Sequence, residues 1–293
     1  MMAAGKANEN DVDGDRITVF HDEQHSSSAF SAMQQFREEG LFTDVTIKVN
    51  NKMIEAHRNV LAASIPYFKS MLTTNMKEAT QDVIEIKDEE DGGVAESALE
   101  NLIGFAYTGT VEISTSTVQS LMFGASFLGV TSVLDACAEY LQSNITCDNV
   151  LGIYKFAESL DVTSLVTASD KYIKMNFKSV SESEDFLDIT FQQIIDLIKS
   201  DELDVEEQIV FEAVLKWIKK DEANRSVHIT ELLTEVRLTL LSPEYLDDNV
   251  SSLEMIRSNY DCSDLIDEVR DYHSDPSRRH LLNKPFCHHQ EQA

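Results

Sequence analysis

Polar and apolar positions change rhythm along this chain. Over residues 28–39, Ala29, Phe30, Met33 and Phe36 fall on one side at helical spacing, and Gly40 follows as a stop signal. Val45, Ile47 and Val49 then alternate with Thr46 and Lys48, the period-two pattern of a half-buried strand. Asn50-Asn51 suits the positive φ of a tight turn, and residues 53–56 predict the returning strand. Residues 58–63 predict a short helix. Pro66, tolerated in a first helical turn because no N–H is needed there, predicts a second one carrying Tyr67, Phe68, Met71 and Leu72. Val83-Ile84-Glu85-Ile86 reads as a further strand, Gly92-Gly93 as a loop, and residues 96–107 as a helix.

Beyond Ser114 the strand signal ends and helical spacing takes over. Val118, Leu121, Met122 and Ala125 form one stripe, and Leu134, Cys137, Ala138 and Leu141 another. Start signals recur: Thr190 with Gln193 fits a capping box, Asp204 precedes Glu206-Glu207, and Ser242-Pro243 combines a cap with proline at the first helical position. Ile209 or Val210, with Ala213, Val214 and Trp217, marks a long buried face. The pattern predicts an α+β fold dominated by helices. A small sheet with helices spans 26–144, and an all-α module spans 145–273. Residues 1–25 read as a disordered acidic tail and 274–293 as a frayed tail, since neither has periodicity.

Composition narrows the function classes. At 293 residues the chain is long for one core, and 42% hydrophobic residues suffice to bury two. No apolar run approaches the ~20 residues of a membrane span. The polar N-terminus has no apolar signal segment, so the expected compartment is the cytoplasm or the nucleus. With 52 acidic against 24 basic residues the net charge is −28, which repels polyanions, so nucleic acid and anionic membranes are not expected partners. Cys137, Cys147, Cys262 and Cys287 form no C-x-x-C pair and read as buried or incidental thiols. The sequons at Asn144, Asn224 and Asn249 read as chance matches.

The search for chemistry returns little. Ten glycines form neither a dinucleotide nor a P-loop pattern, so no nucleotide cofactor is expected. Gly124-Ala125-Ser126-Phe127-Leu128 lacks the second glycine of a nucleophile elbow and reads as helix interior. Acidic residues are too frequent for any carboxylate pair to point to catalysis. His57 could be a base or a ligand, but no second ligand stands at metal spacing, and a hydrogen-bonded structural histidine is the better reading. The Cys287-His288-His289 tract lies in the tail, so no metal site is assigned.

Phe42-Thr43-Asp44-Val45-Thr46-Ile47, Ile54-Glu55-Ala56-His57-Arg58, Leu61-Ala62-Ala63-Ser64 and Tyr67-Phe68 together resemble the BTB (POZ) domain, with Asp44 and His57 at structural positions of that motif. Ile103-Gly104-Phe105-Ala106-Tyr107-Thr108-Gly109 extends the resemblance. Further on, Asn149-Val150-Leu151, Phe156-Ala157-Glu158, Glu207, Val210, Val214 and Trp217-Ile218 are similar to the BACK domain of Kelch-like proteins. The likeness covers residues 28–273.

That resemblance implies a homodimer, or a heterodimer with other BTB proteins, in which the first helix packs through Ala29, Phe30, Met33 and Phe36. It implies binding to the cullin-3 N-terminal domain through a hydrophobic-any-acidic motif that Met76-Lys77-Glu78 matches, with Met71 and Leu72 beside it. Leucine at 72 replaces the phenylalanine of many members, which lowers aromatic area and expected affinity. Residues 148–160 are similar to a family extension that widens the cullin contact. Relatives continue into a Kelch β-propeller, whereas no ~50-residue repeat appears here. A short isoform, a fragment and a natural BTB–BACK protein all remain open. The implied function is a non-catalytic substrate adaptor or regulatory subunit of a cullin-3 RING ubiquitin ligase, with an unknown substrate protein. The alternative is a BTB-mediated oligomeric scaffold, cytoskeletal or transcriptional, that meets no cullin. No catalytic residue and no cofactor is assigned.

Overall fold

The computed structural model describes residues 11–12, 15–16, 19–74, 80–87 and 93–274. Two short strands, β1 (Asp11–Val12) and β2 (Asp15–Arg16), pair antiparallel within the span read as a tail. Helix α1 (His25–Glu38) starts three residues before the apolar pattern does, on Gln24, which makes no side-chain cap. It ends as expected: Gly40 takes φ +68°, and the Leu41 N–H donates to Phe36 O at 2.7 Å. None of its residues is buried.

The predicted hairpin forms from β3 (Val45–Val49) and β4 (Lys52–Ala56), with Val49 opposite Lys52 across the Asn50-Asn51 turn. Asn50 takes φ +51°, a conformation its short polar side chain tolerates. Strand β5 (Val83–Glu85) adds parallel to β3, giving the order β4-β3-β5. Val45, Ile47, Val49, Ile54, Ala56 and Ile84 turn one face into the core, each large side chain stabilising the fold by roughly 1.5–3 kcal/mol.

Helices α2 (Arg58–Ser64) and α3 (Pro66–Thr73) follow the hairpin, with Pro66 in the first turn of α3. Then come α4 (Glu96–Thr108), α5 (Val118–Leu128) and α6 (Thr131–Ser143). Gly109 and Gly129 close α4 and α5 in the left-handed conformation. Gly124 lies inside α5, as read, and for a packing reason. A Cβ there would stand 2.9 Å from Val94 Cγ1 and 3.1 Å from Leu102 Cδ1, so only glycine lets α5 approach this closely.

The chain divides into two compact units, Met1–Tyr140 and Leu141–Ala293. The second unit is helical among its described residues. It opens with α7 (Val150–Ser159), α8 (Thr163–Met175) and α9 (Phe177–Glu182), then a 3-10 turn at Asp185–Asp188 and α10 (Phe191–Ile198). Thr190 and Gln193 form the expected capping box: the Gln193 N–H donates to Thr190 Oγ1 at 3.2 Å, and the Thr190 N–H donates to Gln193 Oε1 at 2.9 Å. Helix α11 (Glu207–Lys220) starts at Glu207 instead of Asp204, whose N–H donates to Lys174 O. Short pieces follow, α12 (Glu222–Arg225), α13 (Ile229–Glu235), α14 (Pro243–Tyr245) and α15 (Glu254–Arg257), before the 15-residue α16 (Tyr260–Ser274). Ser242 caps α14 as read, accepting from the Tyr245 N–H.

Buried residues of these helices, among them Phe177, Phe186, Ile194, Phe211, Val214 and Leu232, form one apolar core, and polar ties hold it in register. Trp217 Nε1 donates to Ile189 O at 2.9 Å, fixing residues 185–190 onto α11. Glu207 is buried on the apolar face of α11, where its Oε1 accepts the Arg237 N–H at 2.8 Å and its Oε2 faces Arg237 Nη1 at 3.4 Å. A buried carboxylate needs such partners, because water no longer solvates it.

Candidate functional site

The positions singled out from the sequence fall on three places of the first unit. The first is α1. Ala29 and Phe30 are exposed, Met33 is half-buried, and Phe36 is exposed. Phe36 meets Phe42 edge-on at 5.3 Å, and Phe42 is itself 77% exposed, next to exposed Leu41. Beside this apolar stripe, Arg37 holds the helix to α4, its guanidinium carbon 5.0 Å from the Tyr107 ring centroid. A 14-residue helix without a single buried side chain gets little of the tertiary packing that stabilises most protein helices.

The second place is the end of α3. Met71 and Leu72 are half-buried there, and Thr73 Oγ1 donates back to Lys69 O at 2.7 Å. Met76 and Glu78 lie outside the described residues, so the structure places only Met71 and Leu72 of that group.

Asp44 and His57 make up the third. Asp44 Oδ1 accepts the Arg58 N–H at 2.7 Å, Arg58 Nε donates to Asp44 O at 3.1 Å, and the Arg58 guanidinium also donates to Gln81 O. Asp44 thus caps the start of α2 and, through Arg58, gathers the segment that leads into β5. His57 is buried. Its Nε2 lies 3.0 Å from Leu41 O, which can only accept, so Nε2 carries the proton. Nδ1 is then an acceptor, and the Tyr107 hydroxyl donates to it at 2.9 Å while accepting the His57 N–H at 2.8 Å. The His57 N–H, both its ring nitrogens and the Tyr107 hydroxyl thus all have partners. Both ring nitrogens are committed, which leaves His57 no lone pair for a metal or a substrate proton. Burial pushes the Tyr107 phenol above its usual range, with the His57 hydrogen bond working against it.

Among the described residues no group of three His, Cys, Asp or Glu side chains is arranged to hold a metal ion, and no helix is long and apolar enough to cross a membrane. Cys137 and Cys262 are buried and Cys147 is half-buried; burial raises the Cys137 thiol to about 11. Cys287, His288 and His289 lie outside the described residues.

The second unit contains a feature that hydrophobic periodicity could not reveal. A cavity of about 550 Å3 opens between α7, α8, residues 185–190 and α10, with Gly152 on its wall. Its lining comes from four separate stretches of sequence.

Comparison with known proteins agrees with these two units. Residues 33–145 match the family model for the BTB/POZ domain, and residues 150–251 match that for BACK, BTB And C-terminal Kelch. Kelch-like protein 17 of Mus musculus and that of Rattus norvegicus are each 36% identical to this chain over 260 residues, covering 88% of it. The chain spans 40% of the length of these curated relatives. A solved structure, the BTB domain of zebrafish PATZ1, matches at 25% identity over 43% of this chain and 98% of that one, with a TM-score of 0.38. With a BTB/POZ domain followed by a BACK domain, and Kelch-like relatives along most of its length, the chain belongs to the BTB–BACK proteins of the Kelch-like family.

Proposed function

We propose that this protein is a non-catalytic substrate adaptor, or a regulatory subunit, of a cullin-3 RING ubiquitin ligase, working in the cytoplasm or the nucleus. Residues 26–144 act as the dimerisation and cullin-binding module and residues 145–273 as the helical module that sets the distance to substrate. Ubiquitin transfer belongs to enzymes that the complex recruits. The observation that carries this reading is α1, which buries none of its residues while Phe30 and Phe36 stay exposed on one stripe. A second BTB copy, of this chain or of a relative, supplies the missing apolar partner. Pairing of BTB with BACK supports the adaptor role, as BACK accompanies BTB in Kelch-like proteins. Met71 and Leu72 at the end of α3, with Met76 and Glu78 beyond it, are the proposed cullin contact.

Calorimetric titration with the cullin-3 N-terminal domain tests the adaptor role, with Met76→Ala and Glu78→Lys as variants that stay folded and dimeric. Saturable binding by the parent, lost in both variants, is expected. A parent that gives no heat refutes the adaptor reading and favours the BTB scaffold. Sedimentation equilibrium of Phe30→Asp and Phe36→Asp tests the dimer separately, the expected result being a monomer with an unchanged circular dichroism melt for the second unit.

A further inference from the structure

Phe42 stands in the turn that carries the chain from α1 into β3, and its backbone is unusual for its type. Its φ is +61°, in the left-handed region where a bulky side chain strains the backbone. Among the described non-glycine residues, Asn50 and Asp161 share that region, and both have the short polar side chains that tolerate it. Glycine or asparagine would make the same turn with less strain. Burial does not offset the strain either, since Phe42 is 77% exposed. Neither the turn nor the core of this chain accounts for a phenylalanine at 42.

Its surroundings supply a reason. The Phe42 ring meets that of Phe36 edge-on at 5.3 Å, and Leu41 beside it is 43% exposed, so the apolar stripe of α1 continues past the end of the helix. A dimer needs that continuation. A 14-residue helix is about 21 Å long and about 10 Å across, so one face of α1 has a footprint of roughly 200 Å2, whereas a stable interface takes about 800 Å2 from each partner. A buried aromatic side chain adds about 150–250 Å2.

We infer that Phe42 anchors the pairing of two copies of this chain, its ring packing into the partner's surface beside the α1 stripe. The left-handed turn at 42 aims that ring out of its own fold. This rests on the dimer reading above and extends the interface beyond the helix, to a residue that helical periodicity does not reach. A large, stiff aromatic side chain is the type that carries most of the energy at such interfaces. A two-fold axis repeats every contact, so one substitution removes two anchors.

Sedimentation equilibrium of the full chain tests the inference with Phe42→Asn, which keeps a residue suited to positive φ. The dimer dissociation constant should rise by about tenfold or more, as for an interface hot spot lost twice. Tyr260→Asn removes an aromatic of similar exposure, 81%, at the start of α16, and should change the constant by less than about twofold. Stability is compared in a chain made monomeric by Phe30→Asp. There Phe42→Asn should shift the melting temperature by less than about 4 °C, because relief of the strained turn offsets the lost edge contact with Phe36. A larger fall makes Phe42 a packing residue of its own chain and overturns the inference. An equal effect of Tyr260→Asn overturns it too. So does a dimer that Phe42→Asn leaves intact while binding of the cullin-3 N-terminal domain is lost, which assigns the ring to the cullin. A parent chain monomeric at every concentration refutes the dimer reading and this inference together, whereas a parent dimer unaffected by Phe42→Asn refutes this inference alone.

Discussion

Replacing Arg225 with alanine should open the second unit at one identifiable seam. Arg225 Nη1 donates one hydrogen to Leu187 O at 2.8 Å and the other to Trp217 O at 2.9 Å, and its guanidinium carbon lies 4.2 Å from the Trp217 ring centroid. Trp217 O is among the last carbonyls of α11, which the helix leaves without an intrahelical partner, so the cation also sits at the negative end of the helix dipole. A hydrogen bond to a charged group nets ~1.5–3 kcal/mol. Because both bonds share one nitrogen on a half-buried side chain, the lower figure applies to each, and the stacking on the indole overlaps with them. The expected loss is therefore about 3 kcal/mol, or about 6–12 °C in melting temperature for a unit of this size. Trp217 is the only tryptophan, so urea unfolding followed by its fluorescence reports on the second unit. Arg225→Lys keeps the charge but not the planar stack, and should recover less than half of the loss. A loss in Arg225→Ala below about 1 kcal/mol, the range of an exposed ion pair, would refute the reasoning.

Tyr107→Phe keeps the ring under Arg37 but leaves the His57 N–H and Nδ1 without a partner; a loss of about 2 kcal/mol is expected. Hydrogen exchange at the His57 amide should accelerate in the same variant, and unchanged protection would contradict the assigned bond. Burial raises the Cys137 thiol to about 11 and the Tyr154 and Tyr245 phenols to about 12, so the fold favours their protonated forms. Their contribution to stability is whole below the ordinary values of 9.0 and 10.0 and is lost as pH rises through about 11 to 12. Urea midpoints followed from neutral to alkaline pH should fall, and a rise would contradict the sign. Two helical glycines should answer alanine in opposite directions. Gly124→Ala costs about 1–3 kcal/mol through its clash with Val94, whereas Gly152→Ala stabilises by up to about 1 kcal/mol; thermal shifts of the same sign would refute the packing argument.

The elements visible in the sequence are those whose partners lie close in the chain. The hairpin from β3 to β4 needs only alternation and a residue that accepts positive φ, and Asn50 supplies it. The Thr190–Gln193 box spans three residues and forms as read. Strand β5 was legible as a strand, but its parallel pairing on β3 was not, because Ile47 and Ile84 are joined by a chain that carries no local record of direction. His57 could be read as structural, but its partners, Leu41 and Tyr107, lie 16 and 50 residues away. Asp204 offered a plausible cap, yet the helix starts at Glu207, whose carboxylate is drawn inward to Arg237. The cavity was illegible for the same reason: Asp185 and Asp188 read as two more acids in an acidic chain until α7 and α10 stand opposite them.

Tyr107 connects the proposed dimer face to the residues that carry the BTB resemblance. Its hydroxyl is spent on His57, which in turn holds Leu41, the residue that closes the C-terminal turn of α1 by donating to Phe36 O. Its ring is the platform under Arg37, the residue next to Phe36 of the exposed stripe. Helix α1 has no buried side chain with which to anchor itself, so its orientation depends on that platform and on the Phe36–Phe42 pair. Asp44 and His57 need touch no partner to matter for assembly. By fixing Arg58, Leu41 and Tyr107 they fix the surface from which α1 presents Phe30 and Phe36, so that in the proposed dimer a helix held this way would meet a second copy without first losing the entropy of finding its orientation.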